Sequence, residues 1–209
     1  GSQSTFSLPC LPMAEDWTHF GQMADCAARA ALPAGGADDA DMGTFLEVCA
    51  AYRSGMETLG TAMRLALLDF DGNYGPCREF FDADPEGRGT VRRFVEAPGA
   101  PRASLKWMLL SLQFTATTLK RLWEGDTWGA NTAYEEVLVK HHNSTQRALA
   151  RALLWSMPSK RSICRTRSIC PNLKDQRRLE EVISRDVERA THLVLPLVSV
   201  AQGINDGRR

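Results

Sequence analysis

Leu105, Met108, Leu109, Leu112, Ala116, Leu119 and Trp123 recur mostly at spacings of three and four, with no proline or glycine among them. Such a stripe lies along one side of an α-helix and needs an apolar partner to cover it. The same spacing carries Phe45, Val48, Cys49, Tyr52, Met56 and Leu59, then Met63, Leu67 and Phe70. An interruption is expected near Gly60, since glycine is a poor interior residue of a helix. A looser helical pattern covers residues 13–32 and stops before Pro33. Another runs from Thr132, with Asn131 as its expected cap, to Met157 before Pro158. A last helix is expected from about Asn172 to Ile204, kinked or split by Pro196. Between these lie a linker, "PAGGADDADMG", and a Gly-, Pro- and Arg-rich stretch from Ala83 to Arg102 with an apolar island at Val91, Phe94 and Val95. No stretch alternates with the period of a strand. The expectation is an all-α chain in a single domain. Residues 1–40, an amino-terminal helix and linker, belong to the same domain as the body at 41–209.

The chain has 209 residues, 44% hydrophobic, enough for one sizeable core. Basic and acidic residues balance at 25 each, which gives no overall positive field and speaks against nucleic acid. The balance conceals an asymmetry. Residues 1–47 carry Glu15, Asp16, Asp25, Asp38, Asp39, Asp41 and Glu47 against Arg29 alone. Residues 159–178 carry Lys160, Arg161, Arg165, Arg167, Lys174, Arg177 and Arg178 against Asp175 alone. That basic segment is read first as a solvated loop, and second as a patch meeting acidic lipid headgroups. The six cysteines (10, 26, 49, 77, 164, 170) have no C-x-x-C pair and no metal-like spacing with histidine. Most read as small hydrophobes, although Cys164 and Cys170, in a repeated RSIC, are able to pair. Without a secretion-type amino terminus or an apolar run of about 18 residues, a cytoplasmic, non-spanning protein without metal or cofactor is expected.

"LLDFDGNYGP", residues 67–76, is the richest stretch in polar groups beside an apolar run. A calcium-binding hand is excluded: from Asp69 the glycine falls fourth rather than sixth, and Phe80 stands where the bidentate glutamate belongs. Asp69 and Asn73, four apart, project from one helical face. Asp71 points elsewhere, towards solvent. Leu65, Leu68 and Phe70 surround the pair, so the polar atoms border an apolar interior and need partners. They are either a structural cap and its partner or a ligand-reading pair. His142 falls on the apolar side of its helix with Ala133, Tyr134, Val137, Leu138, Leu149 and Leu153. It is either a satisfied core histidine or a ligand group, with His141 at the edge. Trp107 sits at the margin of its stripe, as a core-edge residue or as a stacking plate.

"AYEEVLVKHHNSTQRALARALLWSMP" (133–158), "LKWMLLSLQF" (105–114) with "WEGD" (123–126), and "FLEV", "LG" and "DFDGN" between Phe45 and Asn73 resemble, in order and spacing, helices of the glycolipid transfer protein family. "DADP" (82–85) resembles its post-helix turn, and the resemblance extends over roughly residues 40–205. It implies a two-layer α-helical sandwich around one sphingolipid, most simply a glycosylceramide, carried or sensed without covalent chemistry. Position by position, Asp69 would accept from the ceramide amide N–H and a sugar hydroxyl, and Asn73 would bind sugar hydroxyls. Trp107 would stack under the first sugar, and His142 would donate to the ceramide carbonyl. A pyranose has an apolar C–H face that covers an aromatic ring, and an ionised carboxylate only accepts. The family's phosphate-carrying branch has lysine at the Asn73 position, arginine at Trp107 and arginine at Ser111, as suits a phosphate. Asn73 and Trp107 suit a neutral sugar.

Two positions depart from the glycolipid branch. Pro76 replaces a lysine and is expected to break the helix, with Arg78 as a conceivable substitute if the chain loops back. Ser144 replaces a membrane-contacting tryptophan, which leaves Trp128, Trp155 and the basic segment for that contact. The partners implied are a sphingolipid and, transiently, a membrane surface; the chain is expected to act as a monomer, peripheral at membranes. The alternatives are a ceramide-1-phosphate-type carrier, with Lys106, Arg102 or Arg78 as phosphate contacts, and a lipid-fold interaction module without transfer. An enzyme using Asp69 and His142 lacks a nucleophile motif beside them.

Overall fold

The computed structural model describes residues 17–30, 39–59 and 61–207. The beginning of the first expected helix, linker residues 33–38, Gly60 and the Leu65 side chain lie outside them. Within the described residues the apolar stripes become α1 (His19–Ala30), α2 (Met42–Thr58), α3 (Thr61–Asp82), α4 (Val91–Glu96) and α5 (Arg102–Trp123). The chain continues through α6 (Gly129–Val137), α7 (Ser144–Leu154), α8 (Lys160–Arg165) and α9 (Gln176–Asn205). An isolated bridge, Asp41 to Thr90, is the only extended pairing among the described residues. There Met42 N–H donates to Gly89 O at 3.0 Å and Val91 N–H to Ala40 O at 2.9 Å. Asp41 caps α2 by accepting from Thr44 N–H at 2.7 Å, and Thr90 caps α4. Capping oxygens satisfy donors that a helix start leaves orphaned.

The fold is an all-α sandwich of two layers. α2, α1 and α9 lie side by side as one layer, and α3, α5 and α6 form the other; α9 on α5 and α2 on α3 join them. Phe45, Phe70, Phe94, Leu105, Met108, Leu109 and Leu112 are sealed between the layers. Each such side chain contributes about 1.5–3 kcal/mol by leaving water, so the two faces hold each other. α1 approaches α9 closely at Gly21, where a Cβ would stand 2.7 Å from Asp186 Oδ2. The buried Asp186 carboxylate accepts from Thr18 Oγ1 at 2.6 Å and from Arg185 Nε at 2.8 Å. This ties the amino-terminal helix into the body.

Several expectations are corrected. Asn131 does not cap the helix after the turn; Trp128 occupies that position and Asn131 lies inside α6. The expected helix from Thr132 to Met157 is two helices, and Leu149 is 62% exposed rather than part of a buried stripe. Pro76 does not break α3, nor does Pro196 split α9. Both prolines are exposed, as are Gly72 and His192 four residues before them. The carbonyls that lose their helical donor are therefore within reach of water, which offsets the lost hydrogen bond. Nor is the basic segment merely a loop: α8 and a 3-10 turn at Arg167–Ile169 bury Ile163, Cys164, Ile169 and Cys170. Cys164 and Cys170 are buried thiols and form no disulfide. No described helix is long and apolar enough to cross a membrane.

Candidate functional site

The site begins with a helix that stops. α6 ends at Val137, a 3-10 turn covers Val139–His141, and His142 is extended at φ −98°, ψ 138°. "NSTQ" restarts the helix: Asn143 Oδ1 accepts from Gln146 N–H and Gln146 Oε1 from Asn143 N–H, both at 2.9 Å. This reciprocal cap fixes where α7 begins. Arg147 closes the turn by donating from Nε to Val139 O at 3.1 Å and to His142 O at 2.9 Å. His142 is thus delivered from a junction rather than from a helical face.

Three elements meet there. The His142 ring lies 5.9 Å from Trp107 of α5, inclined by 28°, and its Nδ1 is 3.1 Å from the Tyr134 hydroxyl of α6. Trp107 is also met edge-on by His141, with ring centres 6.3 Å apart. The His142 pKa lies below the ordinary histidine value. Burial lowers it most, the Asp69 carboxylate on α3 opposes, and Arg147 adds to the lowering. The imidazole is consequently neutral near pH 7, and Asp69 is close enough for its charge to be felt. Two tautomers fit the Tyr134 bond. When the hydroxyl donates to Nδ1, the ring proton resides on Nε2 and gives an N–H donor.

Asp69 is exposed and Asn73 half-buried on the same face of α3. The Asn73 Nδ2 donates to Asp69 O at 2.8 Å, which holds the amide against its own helix. The neighbours differ from expectation. Leu68 is 70% exposed, and Phe70 is buried. Asp71 is not simply solvated: Arg53 Nε and Nη2 grip it at 2.7 and 3.1 Å. Arg78 is held by Asp82 at 2.8 Å within α3 and is not brought to Asp69 and Asn73.

Trp107 and His142 are thus in ring contact from α5 and the α6–α7 junction, while Asp69 on α3, with Asn73 one turn along, lies near enough for its charge to act on His142. Sequence reasoning missed the Tyr134 hydroxyl, placed only in an apolar stripe, and Arg147, while His141 stands half-buried at the edge where it was expected. "HNSTQ" carried the signal for the break, since an Asn-x-x-Gln box marks a helix start. Burial lowers the His141 pKa most, Lys106 and Lys140 add to this, and Asp206 at the end of α9 opposes. The arrangement offers an imidazole against a flat indole, with a carboxylate within electrostatic reach of the imidazole. Tyr134, which bonds His142, belongs to a small apolar cluster with Ala130 and Leu154, against which Phe114, Leu138 and Met157 are half-buried.

Residues 40–168 match the family model described as glycolipid transfer protein. The chain belongs to the glycolipid transfer protein family. That family is one of lipid transfer proteins. Solved structures carry the likeness across the chain. The GLTP-fold of FAPP2, which selects simple glycosphingolipids, superposes with a TM-score of 0.76 at 17% identity, covering 92% of this chain and 97% of that one. HET-C2, a fungal glycolipid transfer protein, gives 0.68 at 17% identity over 87% and 91%. The apo form of mouse ceramide-1-phosphate transfer protein gives 0.73 at 10% identity over 91% and 96%. At these identities the likeness is one of fold. No curated protein matches the chain.

Proposed function

We propose that this member binds a glycosylceramide and moves it between membranes, or reports its presence, without a covalent step. The observation that carries the reading is His142, packed against the Trp107 ring and bonded to Tyr134 of the apolar cluster, with the Asp69 charge acting on it. A secondary amide has one donor and one acceptor. Asp69 accepts from the amide N–H, and His142 Nε2–H donates to the carbonyl. Trp107 carries the apolar face of the first sugar, and the Asn73 Oδ1, left over from its bond to Asp69 O, accepts from a sugar hydroxyl.

The hydrocarbon goes below, among Phe114, Leu138, Leu154 and Met157. Exposing a chain of about 14 methylenes to water costs on the order of 11 kcal/mol at ~0.8 per methylene. Apolar side chains remove most of that cost, which is the whole catalytic content of transfer. Membrane contact falls to Trp128 and Trp155, which are 59% and 81% exposed and meet edge-on at 6.0 Å. Tryptophan suits the boundary between headgroups and chains. The protein works as a cytoplasmic monomer, peripheral at membranes.

A phosphate-bearing ceramide is the second reading, favoured by the charges of Lys106 and Lys140 that reach His141. Uptake from vesicles holding equal fluorescent glucosylceramide and ceramide-1-phosphate separates the two. Preferential removal of glucosylceramide supports the proposal, and preferential removal of the phosphate overturns it.

A further inference from the structure

The RSIC repeat is used twice in the same way. Arg161-Ser162-Ile163-Cys164 on α8 and Arg167-Ser168-Ile169-Cys170 on the following turn each bury Ile and Cys and expose Arg and Ser. Arg161 and Arg165, four apart on α8, point away from the core that holds Ile163. The segment closes on itself and on α2: Gln176 Nε2 donates to Cys164 O at 3.2 Å, and Ser168 Oγ to Thr58 O at 3.3 Å. The buried side chains thus hold the cations outward as a fixed strip.

All seven basic residues from Lys160 to Arg178 are exposed. The single acid among them, Asp175, caps α9 by accepting from Arg178 N–H at 2.7 Å, while Arg177 is paired with Glu181 one turn on at 3.2 Å and Lys160 lies over the Trp123 ring. Arg161, Arg165, Arg167 and Lys174 have no side-chain hydrogen bond or ion pair among the described residues. A cluster of like-charged cations without acidic partners is unfavourable by itself and is relieved by an anionic surface. Lys160 follows Trp155 by five positions, so their Cα atoms lie within about 18 Å. The strip therefore adjoins the exposed indole pair.

We propose that α8, the turn after it and the segment through Lys174 that leads into α9 form a docking strip for bilayers rich in anionic lipid, which selects the membrane independently of the sphingolipid site. The proposal rests on the reading that the chain works at a membrane, and not on which headgroup it carries. Trp128 and Trp155 enter the interfacial layer of any bilayer, and the strip adds a charge-dependent attraction that only an anionic leaflet supplies.

The test is flotation of the full chain with phosphatidylcholine vesicles, with or without about 30% phosphatidylserine as the anionic component. Wild type should partition far more strongly onto the anionic vesicles. The excess should vanish between about 0.1 and 1 M salt, as the screening length falls from about 10 to 3 Å. Replacing Arg161, Arg165 and Arg167 together by Gln should lower anionic partitioning about a hundredfold, and Lys174→Gln alone about fivefold. These exposed side chains make no hydrogen bond or ion pair among the described residues, so helix content should not change. Asp69→Val should float as wild type while losing sphingolipid uptake. Equal binding of wild type to both vesicles, no binding to either, or unchanged partitioning of the triple variant would overturn the proposal. Retained uptake by Asp69→Val would instead overturn the site assignment and leave the docking strip standing.

Discussion

α9 and α7 are both amphipathic helices in one chain, and they are held very differently. α9 buries thirteen residues along its length, from Leu179 to Asn205, against α1, α4, α5 and α8. α7 buries Leu154 alone, and carries Leu149 in water. The first is sealed into the sandwich; the second rests by one end on a small cluster beside the site. Local stability follows the density of buried apolar contact. A carrier has to open somewhere to admit hydrocarbon, and the lightly held α7 can separate at far smaller cost than α6, which packs closely on α5, or the layer of α1, α2 and α9.

The contrast can be broken most forcefully in the core. Phe45→Ala, at a fully buried position of α2, should destabilise by about 3–5 kcal/mol, whereas Leu149→Ala on α7 should stay within about 0.5 kcal/mol. Denaturant unfolding of both variants measures this, and similar losses would mean that α7 is packed as tightly as the body. Next in size is Asp186→Ala. It leaves the Thr18 hydroxyl buried without its acceptor and should cost about 1–3 kcal/mol. Its effect should appear as loss of amide protection in α1, with α7 unchanged.

Asn143→Ala removes the reciprocal cap of α7 and should cost about 1 kcal/mol in stability. Its larger consequence should be functional, because the same cap positions His142. Sphingolipid uptake should fall more than the stability loss explains, and full uptake would detach the junction from the site. The smallest effect concerns pH. The His142 pKa is lowered in the folded chain, so the unfolded chain binds the proton more readily below the ordinary histidine value. Stability from this group is present above about pH 6.5 and is lost as pH falls through the lowered folded value. Thermal unfolding between pH 7.5 and 5 as ordinary laboratory endpoints should show a shallower acid decline in His142→Gln than in wild type; an identical decline would contradict the assignment.

Apolar spacing made the strongly buried helices legible before any coordinates: α2, α3, α5 and most of α9 lie where their stripes put them. Prolines and polar caps were harder. Pro76 and Pro196 were expected to disrupt their helices, because a sequence does not show that the orphaned carbonyl will face water. Asn143 was the reverse case. Its box with Gln146 was present, but apolar residues at matching spacing on either side masked the break. For the site, residue types and order at Asp69, Asn73, Trp107 and His142 resembled the family. The Tyr134 hydroxyl that takes the His142 Nδ1, and the Arg147 guanidinium that closes the turn, depend on a junction that no helical periodicity describes.

The central claim is that Asp69 and His142 read the two ends of one amide. Extraction of fluorescent glucosylceramide from vesicles by folded Asp69→Val, His142→Leu and the double variant tests it most directly. The account predicts that each single change removes most uptake and that the double change adds little to the worse single one, because both act on one bound group. Wild-type uptake by either single variant, with helix content intact, would contradict it.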